Sequence, residues 1–213
     1  MQRTSSSIKN LIFALVGQAA GVGINFIARM VFLKILTAEY LGLNGLFSNI
    51  LSMLSLMELG VGSAMTFSLY KPLAIEDKEK VKSLMSLYRK AYIIIGILIL
   101  VIGLAITPLL PYFIDEMPNI NENINLIYIL FVVNTAISYF YSYKRSLISS
   151  DQRRYIATAY RYGFYFFLNI AQIIVWYIAK NYLLYLLPQI IFTFMQDLTL
   201  SIKPHKMYPY LRE

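Results

Sequence analysis

The stretch AYIIIGILILVIGLAITPLL, which runs from Ala91 to Leu110, decides the fold class of this chain. It is an unbroken apolar run, and about 20 such residues are needed to cross the ~30 Å hydrocarbon core of a bilayer. Inside lipid every backbone N–H and C=O must find a partner within the segment, so we predict a helix. Strands of a membrane barrel would instead need ~10-residue segments of alternating polarity.

Comparable apolar segments fill most of the 213-residue chain. Hydrophobic residues make up 58% of the sequence and charged residues 14%, and the mean hydropathy is +0.60. A soluble domain has about 25% charged residues, so we predict an all-α polytopic membrane protein with six transmembrane helices. The first is interpreted as a retained helix, because it lacks a small-residue cleavage site. The six predicted helices are residues 10–36, 42–70, 88–112, 123–147, 157–180 and 182–202.

The basic residues indicate how these helices are oriented. Most of the 19 lysines and arginines fall in the N-terminal segment, the second and fourth connections and the C-terminal tail. The opposite loops carry Lys180, and the third connection carries Asp115, Glu116 and Glu122. Cytoplasmic loops are enriched in lysine and arginine, so we predict that both termini are cytoplasmic. The same clustering beside the helices favours lipid headgroups over nucleic acid as the partner of the net charge of +8.

The composition leaves little material for catalysis. The chain has no cysteine, and its one histidine, His205, lies in the polar tail. Disulfides, thiolate metal sites and Ser/His/Asp arrangements are therefore not expected, and we predict no enzyme activity, no metal site and no cofactor. Residues 1–202 are predicted to form one transmembrane lobe, with residues 203–213 as a cytoplasmic tail.

Three polar side chains of the first predicted helix form a candidate substrate site. Gln18, Asn25 and Arg29 are spaced seven and four residues apart, so they share one helical face. The Arg29 guanidinium matches the geometry of a phosphate, so one interpretation, with no preference over the other, is an anion-binding residue in a central cavity. A snorkelling arginine or an internal ion pair is the alternative. Small residues on this helix would permit close contact with a neighbouring helix, namely Gly17, Ala20, Gly21 and Ala28.

Glu58 is the candidate internal charge of the second predicted helix. A carboxylate in a span could pair with a cation, titrate as a proton site or bind a coupling cation. At a rise of 1.5 Å per residue, Arg29 and Glu58 differ in depth by roughly 13 Å, so a direct pair would need a helix break. The run from Gly60 to Ser63 could supply such a break, although we favour close packing against a neighbouring helix as its role.

Two further sets of polar groups are interpreted as interfacial. Asp197 lies in the last third of the sixth predicted helix, where we favour an interfacial position over a buried one. Tyrosines crowd the helix ends around the fourth connection, and we favour an aromatic belt at headgroup level over a sugar-stacking surface. These tyrosines are Tyr139, Tyr141, Tyr143, Tyr155, Tyr160, Tyr162 and Tyr165.

Four stretches carry a resemblance to a known family. They are EYLGLNGLFSNILSMLSLMELGVGSAMTFSLYKPLA at Glu39 to Ala74, IARMVFLKILTAEYLGLNGLF at Ile27 to Phe47, SYKRSLISSDQRRYI at Ser142 to Ile156, and KMYPYLRE at Lys206 to Glu213. Together they resemble the N-terminal half of the polysaccharide-biosynthesis flippases. That family exports lipid-linked oligosaccharides for capsule and O-antigen, within the superfamily that also contains multidrug extruders.

The resemblance implies two six-helix lobes around a central cavity, working by alternating access in the bacterial plasma membrane. The substrate would be an undecaprenyl-pyrophosphate-linked oligosaccharide, and Arg29 would be the basic residue of the first helix that lines the cavity. Family members have about twelve helices, so we expect this chain to be an N-terminal lobe that needs a second lobe on another chain, or a homodimer. A cation-coupled multidrug extruder lobe, a non-transporting scaffold subunit and a remnant are the alternatives.

Overall fold

All regular structure in the described part of the chain is helical. The computed structural model describes residues 2–35, 37–58, 60–114 and 118–212, so Asp115 and Glu116 of the predicted third connection lie outside the described residues. Short 3-10 turns follow three of the helices, at Leu56–Glu58, Thr107–Tyr112 and Pro209–Arg212. The predicted all-α fold is confirmed. The α-helices within these ranges are α1 Gln2–Ile35, α2 Ala38–Ser55, α3 Val61–Ala74, α4 Lys78–Ile106, α5 Ile124–Phe140, α6 Ser142–Ser150, α7 Arg154–Ala179 and α8 Tyr182–Met207.

The described helices provide four or five candidate membrane spans rather than the six predicted. Four are long and apolar enough on their own, at Leu15–Lys34, Lys78–Phe113, Arg154–Ala179 and Tyr182–Ile202. The helices α5 and α6 are long and apolar enough only when they are taken together, as a pair bent by 44°. The prediction of helices long and apolar enough to span a membrane is confirmed for four helices, or five with the bent pair, rather than for the six predicted.

The predicted helix at 42–70 is the one that the structure interrupts. It divides into α2 and α3, with the 3-10 turn Leu56–Glu58 and then Gly60 between them. Gly60 has φ 94°, a backbone conformation that glycine adopts without the penalty paid by residues with a Cβ. The run therefore does both: the chain breaks at Gly60, the alternative that we did not favour, and Gly62 packs closely against Tyr92 of α4. Polar side chains on α2, among them Asn44 and Asn49, make this segment less apolar than the four candidate spans.

The helix α4 begins ten residues before its predicted start at residue 88. Asp77 caps it, because its side chain accepts a hydrogen bond from the backbone N–H of Lys80. The added turns are polar outside but bury Val81 and Met85 on their inner side. The sequence analysis located helices by their hydropathy, which identifies the part of a helix that lies in lipid. It therefore did not detect an amphipathic extension of this kind.

The helix α5 is central to the packing of the lobe. It contacts α2, α4 and α8, while α1 packs along α7 and α7 packs on α8. At one end of the bundle Phe47, Tyr128 and Tyr182 are buried in one cluster. Glu122 ties this end together, because it accepts hydrogen bonds from the Tyr40 hydroxyl and the Tyr182 backbone N–H. Burial, and then the bond to Glu122, raise the pKa of Tyr40, so its phenol stays a donor.

The opposite end of the bundle gathers the remaining connections and the tail. The Tyr208 hydroxyl donates to Asp151, which lies between α6 and α7, and Lys78 lies 6.0 Å from the centre of the Tyr210 ring. Burial, and then the hydrogen bond to Asp151, raise the pKa of Tyr208. The two sets of connections that the sequence assigns to opposite sides thus lie at opposite ends. The membrane side that each end faces stays a prediction.

Candidate functional site

The three polar residues predicted on the first helix lie on α1, and that face is uncovered in the described chain. Gln18, Asn25 and Arg29 are all exposed. Asn25 is held by α7, because the Tyr165 hydroxyl donates to its side-chain carbonyl oxygen. Arg29 forms no ion pair with any described residue, so the structure gives no support to the internal ion pair. The anion-binding role of Arg29 stays a prediction.

Glycines bring α1 close to α7 and thereby orient its polar face. A Cβ atom at Gly17 would lie 2.4 Å from the Tyr162 ring, and one at Gly21 would lie 2.5 Å from it. Such distances are too short for any larger side chain unless the ring moves, so these glycines allow the close approach. The predicted contact through small residues is confirmed at these two positions. With the glycine side turned to α7, the side chain of Arg29 remains outside the contact.

Glu58 lies at the break between α2 and α3 and is half-buried. The Tyr92 hydroxyl of α4 donates to Glu58 Oε1 at 2.6 Å, and Tyr139 of α5 is close enough to interact with the same carboxyl. A Cβ at Gly62 would lie 3.1 Å from the Tyr92 hydroxyl oxygen and 3.2 Å from Glu58 Oε1, so glycine gives this pair its room. The internal charge is therefore positioned by phenols.

The structure does not bring Arg29 and Glu58 together. Arg29 belongs to α1, which packs on α7, whereas Glu58 is bonded to α4. The predicted site residues therefore form two separate groups, which are an exposed face on α1 and an internal carboxyl at a helix break. A proton or cation role for Glu58 stays a prediction.

A buried ion pair that the sequence analysis missed joins α6 to α8. Arg145 Nη2 lies 2.7 Å from Asp197 Oδ1, and the Asp197 side chain is 1% exposed against 37% for Arg145. The interfacial position predicted for Asp197 was therefore wrong. Arg145, which the sequence analysis counted only as a topology-setting cation, is partly inside the lobe. An acidic residue in an apolar helix needs a partner when buried, so Asp197 itself was the available signal.

Several tyrosines expected at the headgroup level pack between helices instead. Tyr139 and Tyr143 are buried, so the belt interpretation was wrong for both. Tyr162 covers the glycines of α1, and Tyr165 binds Asn25. These rings fill the space between helices. For the other tyrosines the aromatic belt stays a prediction, with a sugar-stacking surface as its alternative.

The chemistry of the described residues does not include a metal centre. No group of three or more His, Cys, Asp or Glu side chains in the described ranges is placed to hold a metal ion. Comparisons of the chain with protein-family models, with curated proteins and with solved structures found no match. A function therefore has to be inferred from the chain's own residues and their arrangement.

Proposed function

We propose that this chain is one lobe of a flippase that moves undecaprenyl-pyrophosphate-linked oligosaccharide across the plasma membrane for surface polysaccharide synthesis. The observation that carries the proposal is the uncovered polar face of α1, formed by Gln18, Asn25 and Arg29. These residues lie within Leu15–Lys34, a helix segment long and apolar enough to cross a membrane. An arginine at the centre of such a helix costs about 2.5–3.5 kcal/mol on insertion scales, and Arg29, five residues before the end of the segment, costs less than that.

That cost falls when the polar face meets a water-filled cavity or another protein surface. The opposite side of α1 is suited to lipid, because Val16 and Ile27 are exposed on it. Val22 is exposed on the polar face itself, four residues after Gln18. We therefore place a second lobe, on another chain or in a second copy of this one, opposite Gln18 and Arg29. The guanidinium would then face a cavity between lobes, where its planar fork can hold the oxygens of a pyrophosphate.

The helix break at Gly60 lies between α2 and α3, which are not among the candidate spans, and it supports a transport function only if this segment lies at membrane depth. Irregular backbone at membrane depth is tolerated where it is buried in protein or lines a cavity. Transporters build binding sites from such interrupted helices near the middle of the membrane. Glu58, at this break, carries the carboxyl that favours a cation-coupled extruder as the second candidate function. The sequence resemblance favours the flippase.

The proposed orientation places the end with Lys78, Asp151 and Tyr208 in the cytoplasm. The turns at this end carry most of the lysines and arginines that border the helices. Both termini would then be cytoplasmic, in accord with the enrichment of basic residues on that side of membranes.

Reconstitution into proteoliposomes tests the proposal. The purified chain, alone and joined to a second flippase lobe, is assayed for translocation of undecaprenyl-pyrophosphate-linked oligosaccharide and for efflux of a cationic dye. Translocation by the joined form, reduced about tenfold or more by Arg29→Ala, is the expected result. Lys34→Ala is the matched control, because it removes an exposed cation from the same helix. Correctly inserted protein that moves only the dye, or nothing in either form, would contradict the flippase.

A further inference from the structure

A polar pocket lies at the basic end of the lobe, away from Arg29 and Glu58. It has a volume of about 480 Å³ and lies between α3, α6 and the start of α7. Guanidinium and hydroxyl groups line it, whereas the groove between α7 and α8 is lined mainly by aromatic side chains such as Phe164, Phe167 and Phe192. The lining of the polar pocket includes Thr66, Tyr70, Arg145, Ser146, Ser149 and Arg154.

The charges around this pocket favour an anion. Arg145 and Arg154 line it, and none of its lining residues is acidic. The two nearby carboxylates are already engaged, since Asp197 pairs with Arg145 and Asp151 pairs with Arg153. Arg154 is exposed and forms no ion pair with a described residue. An entering anion would therefore meet one free guanidinium and one that is already held in place.

Arg145 is oriented for this task by the buried carboxyl behind it. Asp197 binds Nη2 and is 1% exposed, whereas the arginine side chain is 37% exposed and borders the pocket. A charged group held by such a contact loses little conformational freedom when it binds a ligand. Tyr70 and Ser149 add hydroxyl donors from two different helices.

The start of α7 adds a further favourable element. The helix begins at Arg154, and its first turn has neither an acidic residue nor a side-chain cap. The Ile156 N–H already donates to the Arg153 carbonyl oxygen, and the contribution of this helix end is its dipole, which favours a negative group. This helix end supplements the two arginines and does not define the pocket alone.

We propose that this pocket binds the phosphate group of a lipid headgroup. The pocket lies where the candidate span Arg154–Ala179 begins and the bent α5–α6 pair ends. Because helices that cross a membrane end near the lipid headgroups, we place the pocket at that level. Arginine pairs and hydroxyls match phosphate oxygens in geometry and charge. Basic pockets at helix ends on one membrane face bind anionic lipid heads. The phosphate could come from a phospholipid or from a polyprenyl diphosphate, and only the latter source rests on the flippase proposal.

Binding to the purified chain in neutral detergent tests this inference with two probes. Dioctanoyl-phosphatidylglycerol represents the phospholipid source, and farnesyl diphosphate represents a polyprenyl diphosphate. Arg154→Gln should weaken binding of the favoured probe about tenfold or more, because it removes a charge-assisted bond to phosphate. Ser149→Ala is a milder second variant in the same pocket. Arg161→Gln is the matched control, since it removes an exposed cation of α7 that lies 4.9 Å from the Tyr162 ring centre.

Each outcome of this binding experiment either supports or overturns the proposed pocket. Loss of binding in Arg154→Gln but not in Arg161→Gln supports the pocket, and the preferred probe identifies the source of the phosphate. Equal losses in both variants would show a diffuse basic surface and would overturn it, as would absence of binding by both probes. Binding by a chain that does not transport would leave the pocket standing while the flippase proposal fails.

Discussion

Removing Arg145 should destabilise the lobe more than removing its partner, Asp197. The two residues bridge α6 and α8 at 2.7 Å, and their exposures differ widely, at 37% and 1%. Arg145→Ala leaves a buried carboxylate without its cation. Asp197→Ala leaves a guanidinium that can turn into the adjoining pocket and be hydrated there. The same pair therefore predicts two different losses of stability.

The magnitudes follow from what each change leaves behind. Breaking a buried ion pair from the side that strands a buried charge costs about 3–5 kcal/mol. A polar group that can still reach water loses about 1–2 kcal/mol. For a chain of this size, each kcal/mol corresponds to about 2–4 °C in Tm. Arg145→Ala should therefore lower Tm by roughly 6–20 °C, and Asp197→Ala by roughly 2–8 °C.

Thermal unfolding in neutral detergent, with the four members of a double-mutant cycle, measures both losses. The double variant should be more stable than Arg145→Ala alone, because it no longer buries an unpaired charge. Arg153→Ala is the control, since it breaks the exposed pair with Asp151 and should cost about 1 kcal/mol or less. Equal losses in the two single variants, or a double variant below both, would refute the reasoning.

Three further predictions test the helix break, the internal carboxyl and the orientation. Gly60→Ala should destabilise the lobe by about 1–2 kcal/mol, because Gly60 has φ 94°. Gly45→Ala, at a position on α2 with open space around it, should instead stabilise the lobe by up to about 1 kcal/mol. Equal effects of the two variants in thermal unfolding would exclude backbone strain at Gly60. Tyr92→Phe removes the hydrogen bond to Glu58 and should lower the free energy of unfolding by about 1.5–3 kcal/mol. Glu58→Gln keeps an acceptor for this bond and should lower it less. The reverse order in a denaturant titration would contradict the hydrogen bond. A cysteine at exposed Asn121 should react with an impermeant thiol reagent added outside cells, and one at exposed Glu79 should not; reversed labelling would overturn the orientation.

The features that depend only on the pattern of residues along the sequence could be predicted. Apolar length is sufficient to predict a helix in lipid, because the bilayer leaves the backbone no other partner. Small residues at Gly17 and Gly21 predicted a close contact, because the absence of a Cβ acts whatever the neighbour is. The separation of the connections into two ends followed from alternating helix direction.

The features that depend on partners distant in the sequence were not predictable. Asp197 looks interfacial by position, and only its contact with Arg145 makes burial tolerable. The break at Gly60 competes with a continuous helix, and its neighbour Glu58 is bonded by Tyr92, a residue 34 positions away in the sequence. The exposed face of α1 illustrates the same limit, because its role depends on a surface beyond this chain.

The proposed transport cycle raises the question of whether the lobe bends internally or moves as one body. The bend between α5 and α6 and the break between α2 and α3 are adjacent, since Tyr139 contacts both Ser55 and Glu58. Together they resemble a hinge that would release the packed pair α3 and α6. Yet α6 is held to α8 by the buried pair of Arg145 and Asp197, and opening that pair costs about 3–5 kcal/mol. A cycle in which the lobe moves as one body against a partner leaves this pair closed and avoids that cost.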